Sequence, residues 1–179
     1  LKKILKLIFV HTNEIWFRNG HHLNQLKKHK KSGGNIFEKS LKLCCVSPSS
    51  VMVSKKIIQN YGYFDETFDV CEDYEMWLRI SAKENIGFLK EQLVIKHGGH
   101  KDQLSKKYWG MDRFRVYAIE KNIFNNSFSF QQKSLAIKYL LQKILVIMKG
   151  ARKRNNIKII SEFSLKYFFW KNYKLNIIK

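Results

Sequence analysis

The chain has 179 residues, 45% of them hydrophobic, and carries a formal net charge of +20 at pH 7. This length suffices for one compact domain with its own core. The apolar runs are too short to cross a bilayer and the basic start lacks a small-residue cleavage site, so we expect neither a membrane span nor a signal peptide. The three cysteines form no Cys-x-x-Cys pair, which argues against a disulfide framework or a zinc site and predicts reduced, cytoplasmic thiols.

The charge indicates either an anionic partner or a biased composition. Nucleic acid, an anionic membrane surface or a diphosphate-bearing substrate would be attracted to a chain this basic. However, the lysines are scattered instead of following one stripe, and the chain is also rich in Asn and Ile with a single proline. A composition bias therefore carries about as much weight as a partner.

The first part of the chain predicts strands and loops. Residues 5–18 predict two strands separated by His11–Asn13, and Asn19-Gly20 is typical of a hairpin turn. The basic stretch Lys27–Lys31 follows, and then Ser32–Gly34 predicts a flexible loop.

The next elements are short. Residues 36–45 predict a helix, 47–50 a turn and Val51–Val53 a buried strand. The pattern of residues 55–61 predicts a second helix that ends at Gly62, because glycine commonly terminates helices.

An acidic segment is the least random feature of this basic chain. Six of the fourteen acidic residues fall within positions 65–75. From Glu72 onward the spacing of apolar residues predicts a helix to Ala82. A carboxylate in the first turn, such as Glu72 or Asp73, would be held ionised by the helix dipole and by unpaired backbone N–H groups. This setting suits a general base, although an ordinary helix start looks the same.

The remaining chain is predicted to be two strands followed by helices. Residues 86–89 and 92–96 predict strands that end in His97-Gly98-Gly99-His100, and helices are expected over 104–121, 131–150 and the tail to 179. Two glycines permit a close approach of the backbone at this strand end.

Taken together, the segments Gly62–Glu66 and Glu72–Ile80 resemble the signature of the family 2 glycosyltransferases. Gly-Tyr-Phe-Asp-Glu is followed by Phe68 and then by Glu-Asp-Tyr-Glu-Met-Trp-Leu-Arg. Upstream, Ser47–Val53 is similar to the loop and strand that precede this signature in that family. The resemblance covers roughly residues 10–122, and its motifs occur in the family's order.

The resemblance implies roles for individual residues. Asp73 would be the catalytic base that accepts a proton from an acceptor hydroxyl, and Glu72 would orient Asp73 or hold the acceptor. Trp77 and Asp65 are expected near the acceptor, although packing is the stronger expectation for Trp77.

His100, with His97 as a competitor, would lie near the nucleotide diphosphate or its metal. Arg79 is expected to pair with a carboxylate. For Trp16, on the strand that follows the metal-binding loop in this family, we expect packing.

The chain also departs from the family. Such enzymes begin with a nucleotide-binding half that ends in an Asp-x-Asp motif and holds a divalent cation, Mn²⁺ or Mg²⁺. No acidic residue precedes Glu14 here, so the main metal ligands are missing. We therefore expect that this chain is part of a longer protein and that the chain alone would be inactive. The Gln-x-x-Arg-Trp signature of processive synthases is also missing, which favours transfer of single sugars.

The fold implied is α/β, a partial GT-A-like mixed sheet that lacks the N-terminal nucleotide-binding strands and is followed by C-terminal helices. Residues 1–125 would form the acceptor-side part of the catalytic domain and 126–179 a basic amphipathic helical extension. That extension could lie on anionic lipid at the inner face of the membrane, but covering the core is slightly favoured. The stripe expected for it is Leu135, Tyr139, Gln142, Leu145 and Ile147 with Lys133, Lys138, Lys143 and Lys149.

The function implied is inverting transfer of a sugar from a nucleoside-diphosphate sugar to a hydroxyl of a glycan or lipid-linked acceptor. Two alternatives stay open. One is a basic nucleic-acid-binding module, supported by the charge, although the acidic segment would repel phosphates and no specific nucleic-acid motif is present. The other is a truncated, non-catalytic relic that folds poorly.

Overall fold

The computed structural model describes residues 8–99 and 107–178, with side chains through Leu175 in the last helix. The described residues form a mixed α/β fold with a four-stranded sheet and six α-helices. The strands are β1 (Phe9–Arg18), β2 (His21–His22), β3 (Val51–Val53) and β4 (Gly87–Gly98). The helices are α1 (Phe37–Lys42), α2 (Lys55–Tyr61), α3 (Glu72–Ser81), α4 (Asp112–Phe124), α5 (Phe130–Lys153) and α6 (Ile157–Ile178).

Strand β1 organises the sheet. It pairs antiparallel with β2 and β3 and parallel with β4. The predicted hairpin is confirmed, because Phe17 pairs with His22 across a turn in which Asn19 (φ 51°) and Gly20 (φ 81°) are both left-handed. These are the signs that a two-residue hairpin turn requires.

Two strand predictions were wrong in the same way. The region before Arg18 and the region after Ile86 were each expected to hold two strands, and in the described part of each region there is one, β1 and β4. Their parallel pairing shifts register on both sides of Asn13, opposite Leu89–Val94 of β4. The polar residues that suggested a break therefore mark an irregularity within continuous strands.

The segment Ser32–Gly34 is also not the free loop that was expected. Gly34 exchanges two backbone hydrogen bonds with Ile86, at 2.7 and 3.0 Å. A Cβ at Gly33 would lie 2.7 Å from the carbonyl oxygen of Ile86. Glycine is needed there because the two backbones approach closely.

The helix predictions are largely confirmed, with one correction. Helix α2 ends at Gly62 (φ 76°) as expected, and α3 begins at Glu72. The helix expected over 104–121 instead begins at Asp112, since residues 108–110 are not helical and Gly110 has a φ of 65°. Its expected first residues, 104–106, lie outside the described residues.

Helix α3 lies between two apolar clusters. Tyr74 and Leu78 belong to one cluster, with residues of α1, α4, α5 and α6. Met76, Trp77 and Ile80 belong to the other, on the sheet side around Phe9. Burial on both sides fixes the helix firmly, and its first turn, with Glu72 and Asp73 half-buried, stays at the margin of the core.

The C-terminal helices cover the core, which was the favoured expectation. Buried residues of α5 and α6 belong to the same cluster as α3 and α4. The expected apolar stripe was partly wrong, because Leu145 is exposed whereas Ile144 and Met148 are buried. No helix in the described part of the chain combines the length and apolar character needed to span a membrane.

Candidate active site

The chain enters α3 through an unusual backbone conformation. Cys71, the residue before the helix, is left-handed with φ 67° and makes no side-chain capping bond. The other non-glycine residues with positive φ in the described ranges are all asparagines, which tolerate this conformation better. Backbone strain of this kind costs about 1–3 kcal/mol and occurs often at functional sites. The start of α3 is therefore a place where the fold tolerates strain.

Asp73 lies in the first turn of α3 with its carboxylate in a fixed orientation. Oδ1 accepts the backbone N–H of Tyr74 at 2.6 Å, and Oδ2 accepts the thiol of Cys44 at 3.3 Å. Burial raises the pKa of the Cys44 thiol well above its ordinary value, and the Asp73 carboxylate raises it further. The thiol therefore stays protonated and can donate to Asp73.

Within the described ranges, Asp73 and Glu72 lack the cationic partners that most enclosed carboxylates have. Neither has a Lys, Arg or His nitrogen within 4 Å among the described residues, and Glu72 makes no side-chain hydrogen bond there. Six other carboxylates form ion pairs among the described residues, five of them enclosed and one, Glu38, exposed: Glu14, Glu38, Asp65, Glu75, Asp112 and Glu120. In a chain of charge +20, two half-buried carboxylates without a cation form an arrangement that can accept a proton or bind hydroxyl groups.

Arg79 joins the two halves of the motif. Its guanidinium pairs with Glu75 at 2.8 Å, which confirms the expected ion pair. It also donates to the carbonyl oxygens of Tyr61 and, at 3.1 Å, Tyr63, on either side of Gly62. The turn that opens the first motif is thus tied to the helix that carries the second.

Asp65 is tied to α4. It forms an ion pair with Lys121 and accepts hydrogen bonds from the backbone and hydroxyl of Thr67. Burial raises the pKa of Asp65, but the bonds from Lys121 and Thr67 outweigh this effect and lower it overall. These contacts order the loop before α3, and contact of Asp65 with an acceptor stays a prediction.

Trp77 is a core residue in this structure. Its side chain is 5% exposed, and its indole N–H donates to the carbonyl oxygen of Val46 at 3.2 Å. The ring packs edge-on against Phe9 and Phe64. This is the packing role that its helical position suggested, and contact with an acceptor stays a prediction.

His97 lies on the sheet, apart from the contacts around Asp73. It is exposed near the end of β4 and stacks on Phe17 at 5.7 Å. No contact among the described residues joins it to α3. His100 lies outside the described residues, so its expected place near a diphosphate stays a prediction.

Cys44 and Arg115 were missed by sequence reasoning. Cys44 reaches Asp73 from 29 positions away in sequence, and no local pattern marks such a contact. Arg115 on α4 lies 5.9 Å from the ring of Tyr74 and pairs with Asp112 at 3.0 Å. The fold therefore adds a thiol and a guanidinium to the surroundings of the α3 start.

A second polar cluster, buried beside β1, was also missed. Glu14 and Lys31 pair at 3.0 Å with side-chain exposures of 1% and 3%. Glu14 also accepts hydrogen bonds from Trp16 at 2.7 Å and Ser47 at 3.1 Å. Burial raises the pKa of Glu14, but the bonds from Lys31 and Trp16 outweigh it and lower that pKa. The carboxylate is ionised and already saturated, which is a structural arrangement. Trp16 belongs to it, as the expected packing role suggested.

The described residues do not fit a metal site. No three His, Cys, Asp or Glu side chains in that part of the chain lie close enough together to hold a metal ion. No step is therefore assigned to a metal held by these residues, and the divalent cation stays a prediction.

Comparison of the chain with protein-family models, curated proteins and solved structures finds no match. The start of α3 is accordingly a candidate site on the strength of its own geometry: a strained entry, an oriented carboxylate and, among the described residues, no ion pair to that carboxylate.

Proposed function

We propose that this chain supplies the acceptor side and the catalytic base of an inverting glycosyltransferase. The observation that carries the proposal is Asp73, an oriented carboxylate in the first turn of α3 without a cationic partner among the described residues. Its support in the sequence is the order of the Gly62–Glu66 and Glu72–Ile80 segments, which the Arg79 contacts hold together.

In the proposed reaction, an acceptor hydroxyl loses its proton to the Asp73 carboxylate. The hydroxyl oxygen attacks the anomeric carbon of the donor sugar and forms the new C–O bond. The bond from that carbon to the diphosphate breaks, and the nucleoside diphosphate leaves with the electron pair. Attack opposite the leaving group inverts the anomeric configuration. A base placed in this way contributes typically about 10²–10⁴ in rate.

Cys44 and Glu72 would support the base in this scheme. The Cys44 thiol and the Tyr74 N–H each hold one oxygen of the Asp73 carboxylate, which fixes the direction of the remaining lone pairs. Glu72, half-buried beside Asp73 and free of hydrogen bonds within the described residues, would bind further hydroxyl groups of the acceptor. The donor would be a nucleoside-diphosphate sugar, and the acceptor a glycan or a lipid-linked glycan.

The test is transfer by the longest protein that the gene encodes, incubated with a panel of nucleoside-diphosphate sugars and glycan acceptors. We expect acceptor-dependent release of nucleoside diphosphate, and Asp73→Asn should lower its rate about 10²-fold or more. Asp69→Asn is the matched control, because Asp69 is an exposed carboxylate of the same acidic segment. Unchanged transfer by Asp73→Asn would refute the mechanism.

A further inference from the structure

A cavity of about 560 Å³ opens beside the start of α4. Its walls come from the residues before α4, the first turn of that helix, the second half of α5 and the junction between α5 and α6. The lining residues that the argument uses are Trp109, Met111, Arg115, Val146, Ile147 and Arg154. A volume of this size is within the range of pockets that bind small organic ligands.

The cavity carries positive charge that the described residues do not fully neutralise. Arg154 is exposed and has no carboxylate within 4 Å among the described residues. Arg115 shares Asp112 with Lys143, at 3.0 and 3.3 Å, so one carboxylate faces two cations. The Nε atom of Arg115 is buried and has no hydrogen-bond partner in the described part of the chain. An anion would complete the partners of these guanidinium groups.

Part of the cavity wall is apolar and partly open to solvent. Trp109 is 45% exposed and Val146 60% exposed, and Met111 and Ile147 lie beside them. The Trp109 ring is also fixed by cations, because the Arg113 guanidinium stacks 3.8 Å from its centre and that of Arg154 lies 5.6 Å away. A ligand with an apolar part would cover this wall.

We propose that this cavity binds an organic phosphate whose phosphate group contacts Arg154 and Arg115 and whose apolar substituent covers Trp109 and Val146. Guanidinium groups suit phosphate because their N–H donors match its oxygens in geometry and charge. The cavity borders the candidate site, since the carbonyl oxygen of Met111 lies 4.0 Å from the Cys71 thiol at the start of α3. Its role as the anchor of a phosphate-linked acceptor rests on the proposed function, whereas binding itself does not.

The binding test is calorimetric titration of the chain with octyl phosphate below its aggregation concentration. We expect one saturable site, and Arg154→Gln should weaken it about tenfold, the effect of losing one charge-assisted hydrogen bond. Arg152→Gln is the matched control, because it removes the same charge from an exposed residue two positions away that does not line the cavity. Equal weakening by both variants would show general attraction to a basic protein and overturn the proposal.

Two further arms define the ligand. Inorganic phosphate should bind more weakly than octyl phosphate, and equal affinity would overturn the role of the apolar wall. Phosphatidylcholine vesicles that contain phosphatidic acid distinguish the sources. Competition with octyl phosphate would identify a membrane lipid as the source. Octyl phosphate binding without competition would identify a soluble organic phosphate.

The two proposals can fail separately. Asp73→Asn should keep its affinity for octyl phosphate, because Asp73 does not line the cavity. If sugar transfer depends on Asp73 but octyl phosphate does not bind, the cavity proposal is wrong and the proposed function stands. If octyl phosphate binds through Arg154 but Asp73→Asn leaves the transfer rate unchanged, the proposed function is wrong and the cavity proposal stands.

Discussion

Two carboxylate sites in this molecule differ in how many hydrogen bonds and ion pairs the carboxylate makes. Beside β1, Glu14 is buried at 1% exposure and bonded to Lys31, Trp16 and Ser47. At the start of α3, Asp73 is half-buried and accepts one backbone N–H and one thiol. A saturated buried carboxylate stabilises a fold, whereas an oriented carboxylate with spare capacity can act on a ligand. Burial alone would have selected Glu14 as the functional residue.

The first way to test this comparison is to break the saturated site. Lys31→Met removes the cation and leaves Glu14 buried without it, which typically costs about 3–5 kcal/mol in the free energy of unfolding. Urea denaturation measures the loss. Lys28→Met is the matched control, since Lys28 is an exposed residue of the same basic stretch. If both variants are equally stable, the Glu14–Lys31 pair is not structural.

A second test concerns Glu75, a third carboxylate two residues after Asp73 on α3. Glu75 is 2% exposed and is held by Arg79 and by the amide of Asn122 at 3.0 Å. Arg79→Gln should lower the free energy of unfolding by about 1–3 kcal/mol, because the buried Glu75 carboxylate loses its charged donor. Thermal unfolding checks this, with Lys83→Gln, an exposed residue after the same helix, as control. If Arg79→Gln lowered the free energy of unfolding no more than the control does, the ion pair between Arg79 and Glu75 would not be structural.

The fold was predictable wherever a local pattern decides it. The Asn19-Gly20 turn and the end of α2 at Gly62 follow from backbone preferences that act over a few residues. The interruption before α4 was not predicted, although Gly110 was a visible signal. Continuous β1 and β4 were missed because their pairing partners lie more than 70 residues apart, and pairing carries such strands through polar stretches.

The candidate site was predictable only in its local part. Asp73 and Glu72 lie in the first turn of α3, and the acidic residues of that turn predicted where the helix begins. Their most informative property is that neither forms an ion pair among the described residues, which depends on where the Lys and Arg residues of that part of the chain lie. The contact between Cys44 and Asp73 likewise comes from packing of α3 against the segment after α1. No local sequence pattern predicts either the missing ion pair or the contact between Cys44 and Asp73.

Protonation of a buried imidazole beside the saturated site gives a third, smaller effect. Nε2 of His11 is bonded to the carbonyl oxygen of Ser32 at 3.0 Å, and its Nδ1 is buried and has no partner within residues 8–99 and 107–178. Burial lowers the pKa of His11 below 6.5. The unfolded chain therefore takes up this proton at a higher pH than the folded chain does. Stability should fall as the pH drops below about 6.5, by at most about 1.4 kcal/mol per pH unit for one proton.

Urea midpoints between pH 7.5 and 5.5 measure this dependence. His11→Gln should flatten the curve in this window, because the titrating group is gone. His21→Gln is the control, since His21 is exposed on β2 and should leave the slope unchanged. A slope that survives His11→Gln would assign the pH dependence to another group.

The smallest expected effect is also the most decisive for the comparison. Asp73→Asn should change the free energy of unfolding by less than about 1 kcal/mol, the size of a carboxylate's interaction with a helix start. The amide oxygen can still accept the backbone N–H of Tyr74, and the NH2 group can donate to the Cys44 sulfur. The loss of charge also relieves the repulsion from Glu72. Urea denaturation of Asp73→Asn and Lys31→Met under the same conditions compares the two sites by their effect on the free energy of unfolding. If Asp73→Asn lost as much stability as Lys31→Met, Asp73 would belong with Glu14 as a structural carboxylate. A stable variant that cannot transfer sugar would separate the two roles, because stability and activity would then depend on different carboxylates.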